Sequence, residues 1–197
     1  MKYIVMADGK ELRWHSYTGI HKWEIRVDGE RLLDRTVRLV HAFDPDAEVL
    51  ITSHCETLSV SGAVRYEPLN NHLEIDRFTW ELIAPDVVFL YGDCFYSEQA
   101  IQTIVSSATE GVLFFGNRDR IFAVRVGDET LFRDHVSSVR RKFLNGEIAE
   151  CIGWQVYQSL QGLPFGERKI AGNYILIEDE TRDFNVPLDY ILFHKER

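Results

Sequence analysis

Short apolar runs of strand length alternate along this chain with longer segments whose apolar residues recur at helical spacing. The run 87–91 (VVFLY) is apolar at almost every position, which is typical of a strand covered on both faces of a sheet. Segment 30–43 carries its apolar residues as one stripe, which indicates an amphipathic helix. Because strands separated by helices join into parallel sheets, the alternation predicts an α/β fold, a three-layer α/β/α sandwich with a mainly parallel, mixed sheet.

The same patterns predict the order of the elements. Strands are predicted over 2–6, 24–27, 48–52, 63–66, 87–91, 112–115, 121–126 and 174–178, and helices over 30–43, 75–83, 97–107, 129–144, 151–160 and 187–194. The helix over 75–83 must end before Pro85, because the residue before a proline disfavours helical geometry. No internal repeat or Pro/Ser-rich linker interrupts the pattern, so residues 1–197 are interpreted as a single domain.

Composition and charge narrow the class of function. The net charge of −9 argues against a nucleic-acid partner, since binding to a nucleic acid depends on a basic face that releases counterions. The longest apolar runs have strand length, so no membrane span is predicted. The start of the chain lacks the features of a signal peptide, and a cytoplasmic location is therefore expected. The sequence leaves the oligomeric state open.

Charged side chains follow three predicted strand ends that are far apart in the chain. The first strand leads into 7–9 (ADG) and on to Arg13 and Lys22, the strand 87–91 is followed by Asp93, and Asp183 stands near the C-terminus. In open α/β sheets, ligands bind at the carboxyl ends of the strands. A glycine in such a loop lets the backbone approach a phosphate, and arginine and lysine can neutralise phosphate oxygens.

Aspartates at such an edge are hard oxygen ligands of the kind that Mg²⁺ prefers. The three segments together therefore predict a site for a triphosphate and a divalent metal. Two simpler interpretations remain open at this stage. Arg13 and Lys22 are also consistent with solvated loop charges, and Asp93 with a cap for the helix that begins near Ser97.

These segments, taken in order, resemble the motifs of the nucleotidyltransferases. Segment 4–33 is similar to the family's opening, a strand that leads into A-x-G-x-G-x-R, then P-K, then an apolar stretch with G-x-x-L-L. Residues 91–93 (YGD) resemble its G-D metal site, and 183–189 (DFNVPLD) its closing D-x-N-T-P-E-D motif. The resemblance spans nearly the whole chain and implies the nucleotidyltransferase form of the GT-A fold, which includes sugar-1-phosphate and choline-phosphate nucleotidyltransferases.

The resemblance also implies a role for individual residues. Arg13 and Lys22 match the catalytic pair that stabilises the phosphates. Asp93 and Asp183 match the ligands of Mg²⁺. The positions implied to contact the nucleotide are Ala7, Asp8, Gly9 and Asn71. The implied substrates are an NTP and a small phosphorylated acceptor, and Trp154 and Tyr157, one helical turn apart, are candidates to line the acceptor pocket.

Two positions depart from the family pattern. Glu11 replaces the second glycine of the loop, and His21 replaces the proline before the lysine. A glutamate near a triphosphate adds repulsion of about 1 kcal/mol at ~4 Å in water, and the lost glycine restricts the backbone. Besides a nucleotidyltransferase, the sequence therefore leaves open a non-catalytic relative that binds a nucleotide or a protein partner. A GT-A glycosyltransferase is a third hypothesis, but it would carry D-x-D where this chain has 92–94 (GDC).

Overall fold

The computed structural model describes residues 1–9, 14 and 21–196. The strands are β1 (Lys2–Met6), β2 (Arg26–Val27), β3 (Glu30–Arg31), β4 (Glu48–Thr52), β5 (Val64–Tyr66), β6 (Val87–Tyr91), β7 (Cys94–Phe95), β8 (Val112–Gly116), β9 (Ile121–Val126), β10 (Tyr174–Leu176) and β11 (Arg182–Asp183). The α-helices are α1 (Leu32–Phe43), α2 (Glu98–Ser106), α3 (Glu129–Leu144), α4 (Gly153–Gln161) and α5 (Pro187–Glu196). Short 3₁₀ turns span Lys22–Glu24, Glu74–Phe78 and Trp80–Leu82.

Seven of the strands form one mixed sheet in the order β10-β8-β9-β6-β1-β4-β5. Strand β1 pairs in parallel with β4 and β6, β4 with β5, and β8 with β10. Strand β9 runs antiparallel to both of its neighbours, β6 and β8. The sheet is therefore mainly parallel, as the sequence predicts, and the carboxyl ends of β1, β4 and β6 lie at one edge.

The two faces of the sheet are covered by different helices. Alternate residues of β1 point to opposite faces, so Tyr3 and Val5 pack with α1 and α2, whereas Ile4 packs on the side of α3 and α4. Both faces of the central strands are apolar and buried, which explains why these strands appear in the sequence as continuous hydrophobic runs. This arrangement confirms the predicted three-layer sandwich. No helix in the described part of the chain is both long enough and apolar enough to cross a membrane.

The prediction of an α-helix over 75–83 is wrong. The segment forms two 3₁₀ turns, which are separated by Thr79 in a left-handed conformation with φ 39°. Apolar side chains three to four positions apart fit a 3₁₀ turn as well as an α-helix over so short a stretch. The Asp76 carboxylate accepts the backbone N–H groups of His72 and Leu73 at 3.0 and 2.8 Å, which fixes the start of the first turn.

Phe78 anchors this 3₁₀ segment to the core. Its ring makes edge-to-face contacts with Phe89 of β6 and Phe132 of α3, with centroids 5.5 and 5.2 Å apart. We predict that Phe78→Ala lowers the free energy of unfolding by about 3–5 kcal/mol, since it removes a buried ring from a packed aromatic cluster. Denaturant unfolding measures the change. Leu69→Ala, at a position 86% exposed, is the matched control and should stay within about 0.5 kcal/mol; a similar loss in both variants would contradict the assignment.

Candidate active site at the carboxyl edge of the sheet

The loops after β1 and β6 begin side by side at one sheet edge. Met6 pairs with Tyr91 at the ends of the two strands, and the N–H of Gly92 donates to the carbonyl of Met6 at 3.0 Å. A Cβ atom at position 92 would lie only 2.7 Å from that carbonyl oxygen, so the contact requires glycine. The chain segments that carry Ala7–Gly9 and Asp93 are thus adjacent, as the sequence predicts.

A two-stranded ribbon brings Asp183 next to Asp93. Strand β7 pairs with β11 so that Asp183 lies opposite Cys94, and the N–H of Phe184 donates to the carbonyl of Asp93 at 2.9 Å. The two carboxylates are about equally sheltered, with 16% and 17% of their side chains exposed. Two residues ninety positions apart in the chain are therefore neighbours at the same sheet edge.

Neither carboxylate caps a helix in the described part of the chain. The hydroxyl of Ser97 itself caps α2, since it accepts the N–H of Ala100 at 2.9 Å, and this removes the capping interpretation of Asp93. Asp189 caps the start of α5 by accepting the N–H groups of Asn185 and Val186 at 2.8 and 2.9 Å. Asp93 and Asp183 are therefore left to face the site.

Cations contact both carboxylates. The Nζ of Lys22 lies 2.7 Å from Oδ2 of Asp93, and the Nε of Arg120 lies 3.3 Å from Oδ2 of Asp183. Burial raises the pKa of Asp183 above its ordinary value; the charge of Arg120 opposes the rise and the neighbouring Asp93 carboxylate adds to it. The two carboxylates thus repel each other, and their repulsion is greatest when no further positive charge is present.

The donor set fits Mg²⁺. In the described part of the chain no three His, Cys, Asp or Glu residues cluster as a metal cage. Mg²⁺ usually takes only one or two carboxylates from a protein, and water and substrate phosphates complete its coordination. The two aspartates would therefore hold a magnesium ion that arrives with phosphates, and the ion would relieve the repulsion between them.

A small cavity lies on the side of the β1 loop. It has a volume of about 30 Å³ and is bordered by Ala7, Gly9, Lys22, Arg77 and Asp93. Three of the residues predicted to contact phosphates or nucleotide, Ala7, Gly9 and Lys22, thus line one space together with a predicted metal ligand. Arg13 and Glu11 lie outside the described residues.

Asp8 and Asn71 are brought together, but neither lines this cavity. The amide of Asn71 donates to both the carboxylate and the carbonyl oxygen of Asp8 at 2.7 Å. The Nδ1 of His54 lies 2.6 Å from the same carboxylate group. These contacts tie the loop after β1 to the segments that follow β4 and β5; nucleotide binding by Asp8 and Asn71 stays a prediction.

A larger cavity also borders Asp93. Its volume is about 200 Å³, and its charged lining consists of three arginines and four carboxylates: Arg77, Arg120 and Arg168, with Glu74, Asp93, Glu150 and Asp183. Isolated arginines form no sequence motif, and only the tertiary structure brings these three together, so the sequence does not reveal them.

The turn that presents Arg120 is held in place from three sides. The indole N–H of Trp154 and the guanidinium of Arg168 both donate to the carbonyl of Asp119, at 3.2 and 2.7 Å. The hydroxyl of Tyr174 lies 2.8 Å from the carbonyl of Asn117. Trp154 lines the larger cavity as proposed, whereas Tyr157 is fully buried and does not.

Comparisons with known proteins support the fold. No protein-family model and no curated protein sequence matches the chain. Solved structures similar to it include 2-C-methyl-D-erythritol 4-phosphate cytidylyltransferase from Thermus thermophilus (18% identity, 99% of this chain and 97% of that chain, TM-score 0.62) and CTP:phosphocholine cytidylyltransferase from Streptococcus pneumoniae (12%, 100% and 99%, 0.58). A third is UTP-bound UGPase from Acinetobacter baumannii (9%, 99% and 92%, 0.64). At these identities the likeness shows the fold: the chain has the nucleotidyltransferase fold that its motifs predict.

The raised pKa of Asp183 leads to a pH-dependent prediction. A carboxyl whose pKa is higher in the folded than in the unfolded state costs stability once it ionises, and the cost disappears below about pH 4, its ordinary pKa. Without magnesium, we predict that Asp183→Asn is more stable than the unaltered protein at pH 7.5 and that the difference shrinks as the pH falls. Denaturant unfolding between pH 3.5 and 7.5 tests this.

Asp46→Asn, at an exposed position, is the control and should show no such trend. A lower stability of Asp183→Asn at pH 7.5 would mean that the ion pair with Arg120 outweighs burial and the repulsion from Asp93. Adding Mg²⁺ should stabilise the unaltered protein more than the variant, because only the former keeps both carboxylates.

Proposed function

We propose that this protein is a magnesium-dependent nucleotidyltransferase that joins an NTP to a sugar 1-phosphate or a similar small phosphorylated acceptor and releases pyrophosphate. The observation that carries the proposal is the position of Asp93. It borders both cavities, one along the loop after β1 with Lys22 and one lined by three arginines, and Asp183 lies beside it. A pair of carboxylates that can hold a metal ion, next to two cavities that each contain a cation able to bind a phosphate, suits a reaction between two phosphates.

In this proposal each cavity binds one of the two substrates. The smaller cavity borders the glycine-containing loop and would receive the α-phosphate of the NTP, with Lys22, and Arg13 by family resemblance, as its cations. The larger cavity would receive the acceptor, whose phosphate Arg120 and Arg168 can bind through charge-assisted hydrogen bonds. The similar structures are named for phosphorylated acceptors and nucleotides, which supports these two types of substrate.

The reaction would be an in-line displacement. An oxygen of the acceptor phosphate attacks the α-phosphorus, a new P–O bond forms, and the bond to the β-phosphate breaks, so that its electron pair leaves with pyrophosphate. The acceptor phosphate is already ionised at pH 7, so no general base is needed. The chain's own contribution is to hold two anions together in line and to neutralise their charge with Lys22 and the arginines.

Magnesium bound to Asp93 and Asp183 would add positive charge at the phosphates and so favour departure of pyrophosphate. The ammonium of Lys22 already lies 2.7 Å from Asp93, so it is held at the border between metal ligand and nucleotide cavity. That position suits a cation that neutralises the negative charge of the α-phosphoryl group under attack. The names of the similar structures include nucleotides with cytosine and uracil bases, and the described residues of this chain do not select between bases.

Release of pyrophosphate tests the proposal. The protein is incubated with Mg²⁺, each of the common NTPs, and a panel of sugar 1-phosphates, polyol phosphates and phosphocholine. We predict turnover with one nucleotide and one class of acceptor, and at least a ~100-fold loss in Asp93→Asn, which removes a metal ligand at the reacting phosphates. The variant should remain folded, since Asp93 is partly exposed and carries no core packing.

The exposed-site variant Asp46→Asn has the same chemical change and should keep full turnover. Retained turnover in Asp93→Asn would contradict the metal site. No turnover of the unaltered protein with any pair, together with binding of a nucleotide, would favour the non-catalytic relative instead.

A further inference from the structure

Arg77 is a cation that the family motifs do not contain, and it stands where the two cavities meet. Of the described residues that line these cavities, only Arg77 and Asp93 line both. Lys22 lies on the nucleotide side alone, and Arg120 and Arg168 on the acceptor side alone. Arg77 is therefore the one of these cations that can face both substrates.

The backbone that carries Arg77 is firmly held. The next residue, Phe78, is buried among core aromatic rings. The preceding residue, Asp76, accepts two backbone N–H groups and the guanidinium of Arg140 at 3.2 Å. The carboxylate of Glu74, which also lines the larger cavity, lies 3.6 Å from Nη1 of Arg77. The side chain of Arg77 is 23% exposed and borders both cavities.

The guanidinium of Arg77 lies directly over the loop after β1. A Cβ atom placed on Gly9 would be 3.2 Å from Nη2 and 3.4 Å from Cζ of Arg77. Such a distance is tighter than most contacts of a real Cβ atom, so glycine at this position lets the arginine approach the loop backbone. The glycine thus has a second role besides access of a phosphate: it makes room for a cation.

We propose that Arg77 binds the α-phosphate of the NTP and the phosphate of the acceptor at the same time and aligns the attack. This inference rests on the proposed function. A guanidinium is planar and has five donors in fixed directions, so it can bridge two anions, whereas an ammonium is a point charge. It stays protonated throughout, so it transfers no proton. Its contribution is to reduce the repulsion as the attacking oxygen nears the phosphorus.

Substitution with a test for chemical rescue distinguishes this role from a structural one. Arg77→Ala should lower kcat about 10²–10³-fold and raise KM for both substrates, because it removes a charged donor shared by both phosphates. Arg77→Lys should recover only a minor part, and free guanidinium ion should restore turnover to Arg77→Ala but not to Arg77→Lys. Arg118→Ala removes the same charge from a side chain 79% exposed and outside both cavities, and should match the unaltered protein.

A change in KM for only one substrate would overturn the bridging role. The bridging role would also be overturned if Arg77→Ala lost turnover, had a lower thermal midpoint and was not rescued by guanidinium, since that result indicates a structural role. If Arg77→Ala does not fold, Arg77→Lys decides: turnover within about threefold of the unaltered protein contradicts the proposal.

Equilibrium binding separates failure of this inference from failure of the proposed function. Calorimetric titration with inorganic tripolyphosphate in Mg²⁺ needs no turnover. We expect binding to weaken about 10–100-fold in Arg77→Ala and not in Arg118→Ala, as for loss of a hydrogen bond to a charged group. Equal binding by Arg77→Ala and the unaltered protein overturns the role of Arg77 alone. No binding by the unaltered protein overturns both the role of Arg77 and the proposed phosphate site. A protein that binds tripolyphosphate through Arg77 but turns over no substrate pair would contradict only the enzymatic proposal.

Discussion

The pairing of β7 with β11 is the constraint on which the candidate site depends. It joins residue 93, just after the central strand β6, to residue 183, close to the last helix. The ribbon is supported by a small apolar cluster of its own, in which Phe95, Phe184 and Phe193 pack together with centroids 5.0 to 5.4 Å apart for the contacting rings. The apolar side chains thus stabilise a backbone arrangement that brings two carboxylates close together. The repulsion between these carboxylates is unfavourable by itself.

The charges of the site differ from the charge of the whole chain. The protein carries a net charge of −9, which disfavours long polyanions. The two cavities, by contrast, are lined by as many cations as carboxylates: Lys22, Arg77, Arg120 and Arg168, with Glu74, Asp93, Glu150 and Asp183. Local fields in a cleft depend on the nearest charges rather than on the total. A small anion that brings its own magnesium can satisfy both the cations and the carboxylates, and this explains why both kinds of group occur together at one sheet edge.

The sequence alone predicts those parts of the molecule that depend on local pattern. The continuous apolar run of β6 and the helical stripe of α1 identify a covered sheet and its layers, and the order of short motifs places Asp93 and Asp183 at the carboxyl edge. The sequence does not predict the 3₁₀ geometry of Glu74–Phe78, because apolar spacing over one or two turns fits both helix types. Nor does it reveal Arg77, Arg120 and Arg168, since each stands alone in the chain and only tertiary folding brings them together.

Thermal unfolding with nucleotides is the direct test of a magnesium-dependent nucleotide site at this sheet edge, because it needs neither an acceptor nor turnover. The midpoint is measured with CTP, UTP, ATP, GTP and dTTP, each with and without Mg²⁺. A nucleotide at about 100 times its Kd should add about 2.7 kcal/mol of stability, and each kcal/mol raises the midpoint by roughly 2–4 °C for a chain of this size. We expect the midpoint to rise with one nucleotide and only when Mg²⁺ is present. No rise with any of the five nucleotides, or an equal rise without the metal, would show that the two aspartates do not form such a site.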